Sequence, residues 1–393
     1  MQTLLNWYGR ELQGATLELA APDGRVWTLG RGEPHARIKL RDQSTLWNIL
    51  ANPALRLGET YMDRAWEPEN GELMPVLEVC MRLLGKSEFS HGLLNSLKLG
   101  MARFLERNTP HSSESNAAHH YNLDAKLYRY FLDEDMHYSC AYFPRPGMTL
   151  EEAQQAKCAH IARKLNLKPG AKIFSIGCGW GGLALYLARH HGAHVVGTTL
   201  SSEQLTVARQ RAQERGLTDQ VEFRLEDYRK TQGEFDAIVS VGMFEHVGRP
   251  QYRTFFDKAR ELLKPDGTML LHSIGRLRPP GRANPWIRKY IFPGGYVPAA
   301  SEMLSAIEPS GLLLNDFEVW RLHYAKTLAE WHRRFQASRT DMSARLGEKF
   351  CRMWTFYLQS CEAAFRWGGL AVFHAQLTRN LDRLPLTRDY LYR

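Results

Sequence analysis

The chain has 393 residues, of which 44% are hydrophobic, so it exceeds the usual size of one hydrophobic core and we expect two domains. Its start reaches Arg10 and Glu11 before any apolar run is long enough for a signal peptide, and no stretch approaches ~18 uninterrupted apolar residues. We therefore expect a cytoplasmic protein without a membrane-spanning segment. The formal charge of +9 favours an anionic partner, either nucleic acid or an anionic bilayer surface.

The N-terminal part predicts a small α+β domain. The runs TLELAAPDG, VWTLG and ARIKLRD alternate apolar and polar residues around a Pro-Asp-Gly turn, which predicts an antiparallel sheet. A helical region follows at about 44–106, and its amphipathic segment LLNSLKLGMARFLER is interpreted as a helix packing on its own domain rather than on a membrane. The polar, non-periodic stretch 107–118 is predicted to link residues 1–106 to a second domain, 119–393.

The second domain has the pattern of an α/β fold. Five short apolar runs alternate with helical segments, which predicts a doubly wound, Rossmann-like parallel sheet. These runs are AKIFSIG, AHVVGTTL, VEFRLEDY, FDAIVSVGM and TMLLHSIG. A later pair, LLLNDFEVWRL and LAVFHAQLTR, encloses a helical stretch at 327–366, which suits a sheet completed by late strands.

The cysteines give no sign of a metal site or a disulfide framework. No Cys-x-x-Cys pair occurs in the sequence, so reduced thiols are expected and a bound metal is not. The six cysteines are Cys80, Cys140, Cys158, Cys178, Cys351 and Cys361.

A glycine-rich turn, IGCGWGG, follows the first run of the second domain and opens a helix. Gly177, Gly179 and Gly182 match a G-x-G-x-x-G pattern, where a ligand can approach bare backbone. A dinucleotide site normally places an acidic residue at the end of the second strand, but here that strand ends in TTLS at 198–201, so NAD is disfavoured. S-adenosylmethionine suits the same sheet, with Asp227 and Tyr228 after the third strand placed to contact an adenine.

Several longer motifs are more specific, and together they resemble cyclopropane-fatty-acyl-phospholipid synthases. The chain is also similar to the related mycolic-acid and branched-chain fatty-acid methyltransferases, with which it shares the catalytic domain. The resemblance covers nearly the whole chain, and it implies a methyltransferase domain with helical insertions that form a lipid pocket. The motifs are YSCAYF, IGCGWGG, GTTLSSEQ, VSVGMFEHVG, LLHSIG, PWIRKYIFPGG, RLGETYMDRAWE and FYLQSCEAAFRWG.

The resemblance implies methyl transfer from S-adenosylmethionine to a cis double bond of a phospholipid acyl chain, followed by proton loss and ring closure. Bicarbonate serves as the base in this family. Carried over residue by residue, its ligands would be Cys140, Glu245, His272, the backbone of Ile274, and Tyr324. The residues assigned to the cofactor are Tyr138, Ser139, Gly177, Cys178, Gly179, Gly181, Thr199, Gln204, Asp227 and Tyr228.

The chemistry explains why such residues are needed. An alkene is a poor nucleophile and must be held close to the methyl group, and its attack produces a carbocation that water would capture. A dry aromatic pocket is therefore expected, lined by Phe244, Tyr290, Phe292, Trp286 and Tyr142. The base must be present but weakly nucleophilic, as a small held oxyanion is. Direct deprotonation by Glu245 is the competing possibility.

Two cysteines and two departures from the family pattern affect the assignment of catalytic and cofactor-binding residues. Cys361 matches a cysteine once favoured as a nucleophile, but carbocation chemistry needs no covalent step, and Cys178 has no adjacent base to activate it. Ser175 stands where the family usually has an acid before the glycine turn, which affects contact with the methionine part of the cofactor. The segment HYNLDAKLY at 120–128 also differs from the usual pattern, which bears on substrate identity.

Alternatives remain open at this point. A fatty-acyl methyltransferase that leaves a methylene or methyl branch would use the same cation, and a non-catalytic lipid-binding homologue is a third possibility. Nucleic acid is disfavoured because no (D/N)PP(Y/F) motif appears. The positive charge is therefore interpreted as serving peripheral association with an anionic membrane surface that holds the unsaturated phospholipid. In the resembling family the N-terminal domain is linked to lipid engagement and to homodimer formation.

Overall fold

The computed structural model describes residues 14–87 and 125–392, which form two compact units. The first unit contains described residues 14–87 together with 282–291 and 328–370. The second unit contains 125–281, 292–327 and 371–392. The predicted linker 107–118 and the amphipathic segment LLNSLKLGMARFLER lie outside the described residues, so the domain boundaries stay a prediction.

The second unit is built on a seven-stranded sheet in the order β10-β11-β9-β8-β5-β6-β7. The pairs β5 with β6, β6 with β7, β5 with β8 and β8 with β9 are parallel, whereas β10 and β11 are antiparallel. The prediction of a doubly wound Rossmann-like fold, completed by a late strand pair, is therefore confirmed. The strands are β5 (Lys172–Ile176), β6 (His194–Thr199), β7 (Val221–Leu225), β8 (Phe235–Val241), β9 (Leu263–Arg276), β10 (Leu313–Trp320) and β11 (Leu370–Thr378).

Helices cover this sheet because its strands are apolar on both faces. Ile173, Val195, Val239 and Leu270 share one buried core with residues of the covering helices. The helices of this unit are α4 (Ala125–Arg129), α5 (Leu150–Leu165), α6 (Gly182–His191), α7 (Ser202–Glu214), α8 (Tyr252–Leu262) and α10 (Ala300–Ile307).

Helix α5 has defined ends that hold its residues in register. It begins with a capping box, in which Thr149 Oγ1 accepts from the Glu152 backbone N–H at 3.2 Å and Glu152 Oε2 accepts from the Thr149 backbone N–H at 2.8 Å. It ends at Asn166, whose left-handed φ of 47° stops the helix. Lys157, His160 and Lys164 are thereby fixed on buried positions of one helix.

The first unit contains a four-stranded sheet in the order β2-β1-β3-β4. The prediction of a purely antiparallel sheet is wrong, because β1 pairs antiparallel with β2 but parallel with β3. Two successive chain reversals make the third strand run in the direction of the first, and β3 then pairs with the free edge of β1. The strands are β1 (Ala15–Ala20), β2 (Val26–Arg31), β3 (His35–Leu40) and β4 (Trp66–Pro68).

Helices from three parts of the chain pack together in the first unit. Arg352 donates to the backbone oxygen of Tyr61 at 2.7 Å, and the Trp286 and Phe356 rings lie 4.8 Å apart between centroids. The segments 282–291 and 328–370, assigned to the catalytic domain by sequence, thus contribute core to this unit. The helices are α1 (Gln43–Ala51), α2 (Pro53–Met62), α3 (Leu73–Ser87), α9 (Pro285–Tyr290), α12 (Arg339–Leu346) and α13 (Glu348–Arg366), while α11 (His323–Ala337) has residues in both units.

Among the described residues, no helix is long and apolar enough to cross a bilayer.

The turn between β5 and α6 depends on glycine for two separate reasons. Gly177, Gly179 and Gly181 have φ values of 74°, 56° and 84°, which residues with a side chain rarely adopt. In addition, a Cβ at Gly181 would lie 2.6 Å from Cζ of the buried Phe223. Backbone conformation and close packing therefore both require glycine at position 181.

We expect Gly181→Ala to lower the free energy of unfolding by about 2–4 kcal/mol, since left-handed strain and overpacking add. Gly192→Ala is the matched control, because Gly192 also has a positive φ of 60° but its Cβ would meet nothing within 4 Å. Urea unfolding of both variants measures the difference. Equal losses in the two variants would contradict a role for the Phe223 contact.

Candidate active site

A cavity of about 200 Å³ opens at the carboxyl ends of β5, β6, β7 and β8 in the second unit. Ligands of doubly wound sheets bind at this edge. Nine of the ten residues assigned to the cofactor line it, whereas Gly181 is turned against Phe223 as the N-cap of α6. The lining cofactor residues are Tyr138, Ser139, Gly177, Cys178, Gly179, Thr199, Gln204, Asp227 and Tyr228.

The wall after β6 is held in place by hydrogen bonds of its own side chains. Thr199 Oγ1 donates to Gln204 Oε1 at 2.8 Å, and the Ser201 backbone N–H donates to Thr199 Oγ1 at 3.2 Å. Gln204 lies in the first turn of α7, whose N-cap is Ser201. A dinucleotide site would have an acidic residue at this strand end. Here hydroxyl and amide side chains occupy the position and hold the backbone in place.

The acid after β7 is ionised and already paired. Arg229 donates to Asp227 through Nε at 2.8 Å and through Nη2 at 2.5 Å. Burial alone would raise the pKa of Asp227, but the hydrogen bonds from Arg229 outweigh it and hold the pKa below its ordinary value. A carboxylate has four lone-pair positions, so Asp227 can still accept from an adenine amino group or ribose hydroxyls.

Ser175 lines the same cavity and is buried at the end of β5. The hydroxyl of Ser175 is neutral. It therefore offers no carboxylate that could pair with the ammonium group in the methionine part of S-adenosylmethionine. Lys157, on α5, also lines the cavity, and its Nζ donates to Ser139 Oγ at 3.0 Å. Sequence reasoning missed Lys157 because one lysine in a helix gives no signal of burial.

A second cluster adjoins this cavity along the chain. Gly242, Met243 and His246 line the cavity on either side of Glu245, and Ser139 lines it next to Cys140. Glu245 and Cys140 are themselves buried and are not part of the lining. The cofactor cavity and the predicted base site therefore share the same short chain segments.

Glu245 and the backbone of Ile274, both assigned to the base site by the resemblance, bond to each other. The Ile274 backbone N–H on β9 donates to Glu245 Oε1 at 2.5 Å. His272 lies two residues earlier on the same strand and is 1% exposed. Glu245 Oε2 and His272 Nε2 are buried and have no hydrogen-bond partner among the described residues.

Cys140 and the start of α11 also come together. The backbone N–H of Ala141 donates to Thr327 Oγ1 at 3.0 Å, and Thr327 lies one turn after Tyr324. Cys140 and Tyr324 are both buried. Trp320, just before α11, packs edge-on against His272 with ring centroids 5.6 Å apart. These contacts link the segment of Cys140 to α11, and they link His272 to the residue that precedes α11.

Burial sets the protonation of these groups. It raises the pKa of Glu245 to about 7, against the opposing effect of backbone hydrogen bonds including that from Ile274. Burial lowers the pKa of His272 to about 3, with a smaller contribution from Lys157. Burial also raises the pKa of the Cys140 thiol well above its ordinary value. Near neutral pH, His272 and Cys140 are uncharged and Glu245 is close to its titration point.

The remaining predicted residues lie elsewhere. Cys361 is on α13 in the first unit, and burial raises its pKa to about 12, which does not suit a nucleophile. Burial likewise raises the pKa of Cys178 to about 12. Of the expected aromatic residues, Phe292 lines the cavity, while Trp286 and Tyr290 belong to the first unit.

Two other expected aromatic residues pack inside the second unit. Phe244 stacks on Tyr252 at 4.2 Å between centroids, and Tyr142 stacks on Trp320 at 4.6 Å. They support the walls around Glu245 and His272 through these neighbours.

Comparison with known proteins identifies the group to which these features belong. The family described as mycolic acid cyclopropane synthetase matches residues 108–375. The chain is 36% identical over 351 residues to the cyclopropane-fatty-acyl-phospholipid synthase of Escherichia coli K12, covering 89% of this chain and 90% of the relative. It is 37% identical over 383 residues to the tuberculostearic acid methyltransferase UfaA1 of Mycobacterium tuberculosis, covering 92% and 88%.

A solved structure gives the same result. The mycolic acid cyclopropane synthase CmaA1, complexed with SAH and CTAB, superposes with a TM-score of 0.65 at 34% identity. The match covers 69% of this chain and 99% of that one.

The raised pKa of Glu245 predicts a pH-dependent stability. A buried acid whose folded pKa of about 7 exceeds its unfolded value binds a proton in the folded state that the unfolded state has lost. Stability from Glu245 is therefore present below pH ~4.5 and is lost as the pH rises through 7, by on the order of 3 kcal/mol. Glu245→Gln should remove this loss.

Thermal unfolding of the ligand-free protein from pH 5 to pH 8 tests this. We expect Glu245→Gln to gain stability relative to wild type as the pH rises, whereas the exposed Glu308→Gln control should follow wild type. A constant difference between Glu245→Gln and wild type across this range would contradict the raised pKa.

Proposed function

Because this chain belongs to the mycolic acid cyclopropane synthetase family and is a SAM-dependent methyltransferase, we propose that it converts cis double bonds of phospholipid acyl chains into cyclopropane rings. The observation that carries the proposal is that two buried polar atoms near the cofactor cavity, Glu245 Oε2 and His272 Nε2, have no hydrogen-bond partner in the described part of the chain. Buried polar groups ordinarily have partners. These two atoms therefore fit a small polar ligand.

The residues of the cavity fit S-adenosylmethionine. The glycines at 177 and 179 leave bare backbone, Asp227 offers carboxylate oxygens, and Lys157 and Ser139 present donors. The bound cofactor supplies an electrophilic methyl group, and attack by the alkene leaves a carbocation on the acyl chain. The part of this chain is to hold the two reactants in line, since an alkene reacts only from a close and fixed position.

The base site fits bicarbonate by the chemistry of its donors. His272 Nε2 and Tyr324 can donate to an oxyanion, the Ile274 backbone belongs to the same strand, and Glu245 Oε2 can accept a proton from it. Bicarbonate bound there would supply a weakly nucleophilic base for the proton of the new methyl group. Cys140 is buried next to Ala141, whose backbone N–H donates to Thr327 on α11, and burial keeps its thiol uncharged.

Water exclusion is the second requirement of the reaction. Trp320 and Phe244 are buried against His272 and beside Glu245, and the catalytic side chains themselves are almost inaccessible. A carbocation formed in such surroundings is protected from hydration. The same burial keeps His272 neutral, so that no positive charge on this ring repels the cation.

A branched product is the second candidate, because the M. tuberculosis relative of similar identity is named a tuberculostearic acid methyltransferase. The cation would be the same, and only the fate of the proton would differ. Phospholipid is the proposed substrate because the E. coli relative is named for it and because the net charge of +9 suits an anionic bilayer. We propose peripheral association with such a surface.

Incubation with S-adenosylmethionine and vesicles of cis-unsaturated anionic phospholipid tests the activity. Proton NMR of the released acyl chains should show the upfield signals of cyclopropane methylenes. Olefinic methylene signals would support the branched product instead. Absence of turnover on any unsaturated lipid would refute both enzymatic candidates.

Under the same conditions, Glu245→Gln should lose at least about 100-fold in kcat, since it removes an acceptor that orients the base. Its affinity for S-adenosylhomocysteine by calorimetry should stay within about twofold, and Glu308→Gln should retain full activity. Full activity of Glu245→Gln would contradict the assigned role.

Vesicle binding should weaken as salt rises from 50 to 500 mM, because screening shortens the reach of exposed charges. Co-sedimentation with anionic vesicles measures this, and vesicles of neutral lipid are the control. Binding that is independent of both salt and lipid charge would contradict electrostatic docking.

A further inference from the structure

A second buried histidine lies directly behind His272. His374 on β11 places its Nε2 atom 2.7 Å from Nδ1 of His272, and the two ring centroids are 4.7 Å apart. Strands β11 and β9, which carry the two residues, are neighbours in the sheet. His374 has no exposed surface and His272 has 1%. Nothing in the proposed reaction so far requires His374.

The number of protons in this pair is fixed. Burial lowers the pKa of both rings far below neutrality, so each is neutral and has one proton. If Nε2 of His374 donates to Nδ1 of His272, the proton of His272 must lie on its own Nε2. If Nδ1 of His272 donates instead, its Nε2 has only a lone pair.

The direction of the hydrogen bond between the two rings determines which of their other two nitrogens is protonated. Nε2 of His272 and Nδ1 of His374 are both buried without a hydrogen-bond partner among the described residues. Only one of them can be an N–H. An oxyanion held at His272 needs a donor there, whereas a lone pair would repel it.

A cluster of charged and polar groups lies beside His374. His160 Nε2 and Lys164 Nζ lie 2.9 and 2.8 Å from the same oxygen, Oε2 of Glu318. His160, Glu318 and His374 have nitrogen and oxygen atoms within 4.8 Å of one another, but the ammonium on that shared oxygen opposes a metal ion. The ammonium of Lys164 would favour a lone pair on the side of His374 that faces this cluster, whereas the carboxylate of Glu318 would favour an N–H, so these charges do not select the tautomer.

We propose that His374 is a positioning residue that donates its Nε2 proton to His272 and thereby keeps the Nε2 atom of His272 protonated as the donor of the base site. The choice of tautomer rests on the proposed function, because it follows from the donor that an oxyanion at His272 needs. The ring of Trp320, 4.0 Å from His374 between centroids, and the neighbouring strands hold the pair rigid.

Nitrogen-15 NMR of histidine-labelled wild-type protein tests the tautomer directly. The Nε2 atom of His272, assigned by comparison with His272→Gln, should have the shift of a protonated nitrogen, and its Nδ1 that of an acceptor. The reverse pattern would overturn the inference whatever the activity of the enzyme.

Two substitutions of His374 test the consequence. His374→Gln keeps an amide donor at similar reach, while His374→Met has a similar size but no donor. At limiting bicarbonate, we expect His374→Met to lose about tenfold in kcat/KM and His374→Gln to stay within about threefold of wild type. Affinity for S-adenosylhomocysteine should be unchanged in both.

Gln376→Met is the structural control, since Gln376 lies on the same face of β11 and bonds to the Tyr390 hydroxyl rather than to His272. Its dependence on bicarbonate should match wild type. Equal losses in His374→Gln and His374→Met, or none in His374→Met, would overturn the inference. If wild type shows no dependence on bicarbonate, the proposed base fails, and the NMR result alone then decides the role of His374.

Discussion

The burial of polar side chains at the carboxyl ends of β8 and β9 is the constraint on which the site depends. A reaction through a carbocation needs the exclusion of water, but a base needs polar groups, and each unsatisfied one costs roughly 1–3 kcal/mol. The fold limits this cost by fixing one atom of each group. Ile274 binds one oxygen of Glu245, and His374 binds one nitrogen of His272. The other atoms are left for a ligand.

The surroundings of the two carboxylates in the site shift their pKa values in opposite directions. Asp227 is ionised because Arg229 pairs with both of its oxygens, whereas burial without a cation raises the pKa of Glu245 to about 7. A difference of this kind separates a binding acid from one that can exchange a proton. The cavity that fits the cofactor therefore contains an ionised acid, whereas the cluster beside it contains one that can exchange a proton. Both include residues from the segments 138–140 and 242–246.

Much of the second unit was predictable because its strands are continuous apolar runs, and β5 to β9 appear where those runs lie. The parallel pairing of β1 with β3 was not predictable, because alternation shows which face is buried but not which edge is free. The contribution of 282–291 and 328–370 to the first unit was missed for the same reason, since periodicity does not name the packing partner. Glu245 and His272 were assigned to the site through motifs. His374 and Lys157 were not, because the sequence does not show which side chain a single buried polar residue contacts. Their bonds to His272 and Ser139 are visible only in the structure.

In the proposed reaction, Lys157 adds to the burial that determines which group of the base site can hold a proton. It is 1% exposed, donates to Ser139 beside the cofactor cavity, and its charge lowers the pKa of His272 further than burial alone. An imidazolium at His272 is thus doubly disfavoured, by desolvation and by a like charge, so His272 cannot store the proton that ring closure releases. Glu245 has a pKa near 7 and one oxygen without a protein partner among the described residues. We therefore propose that the proton released on ring closure passes toward Glu245, and that His272 serves as a neutral donor that orients the base.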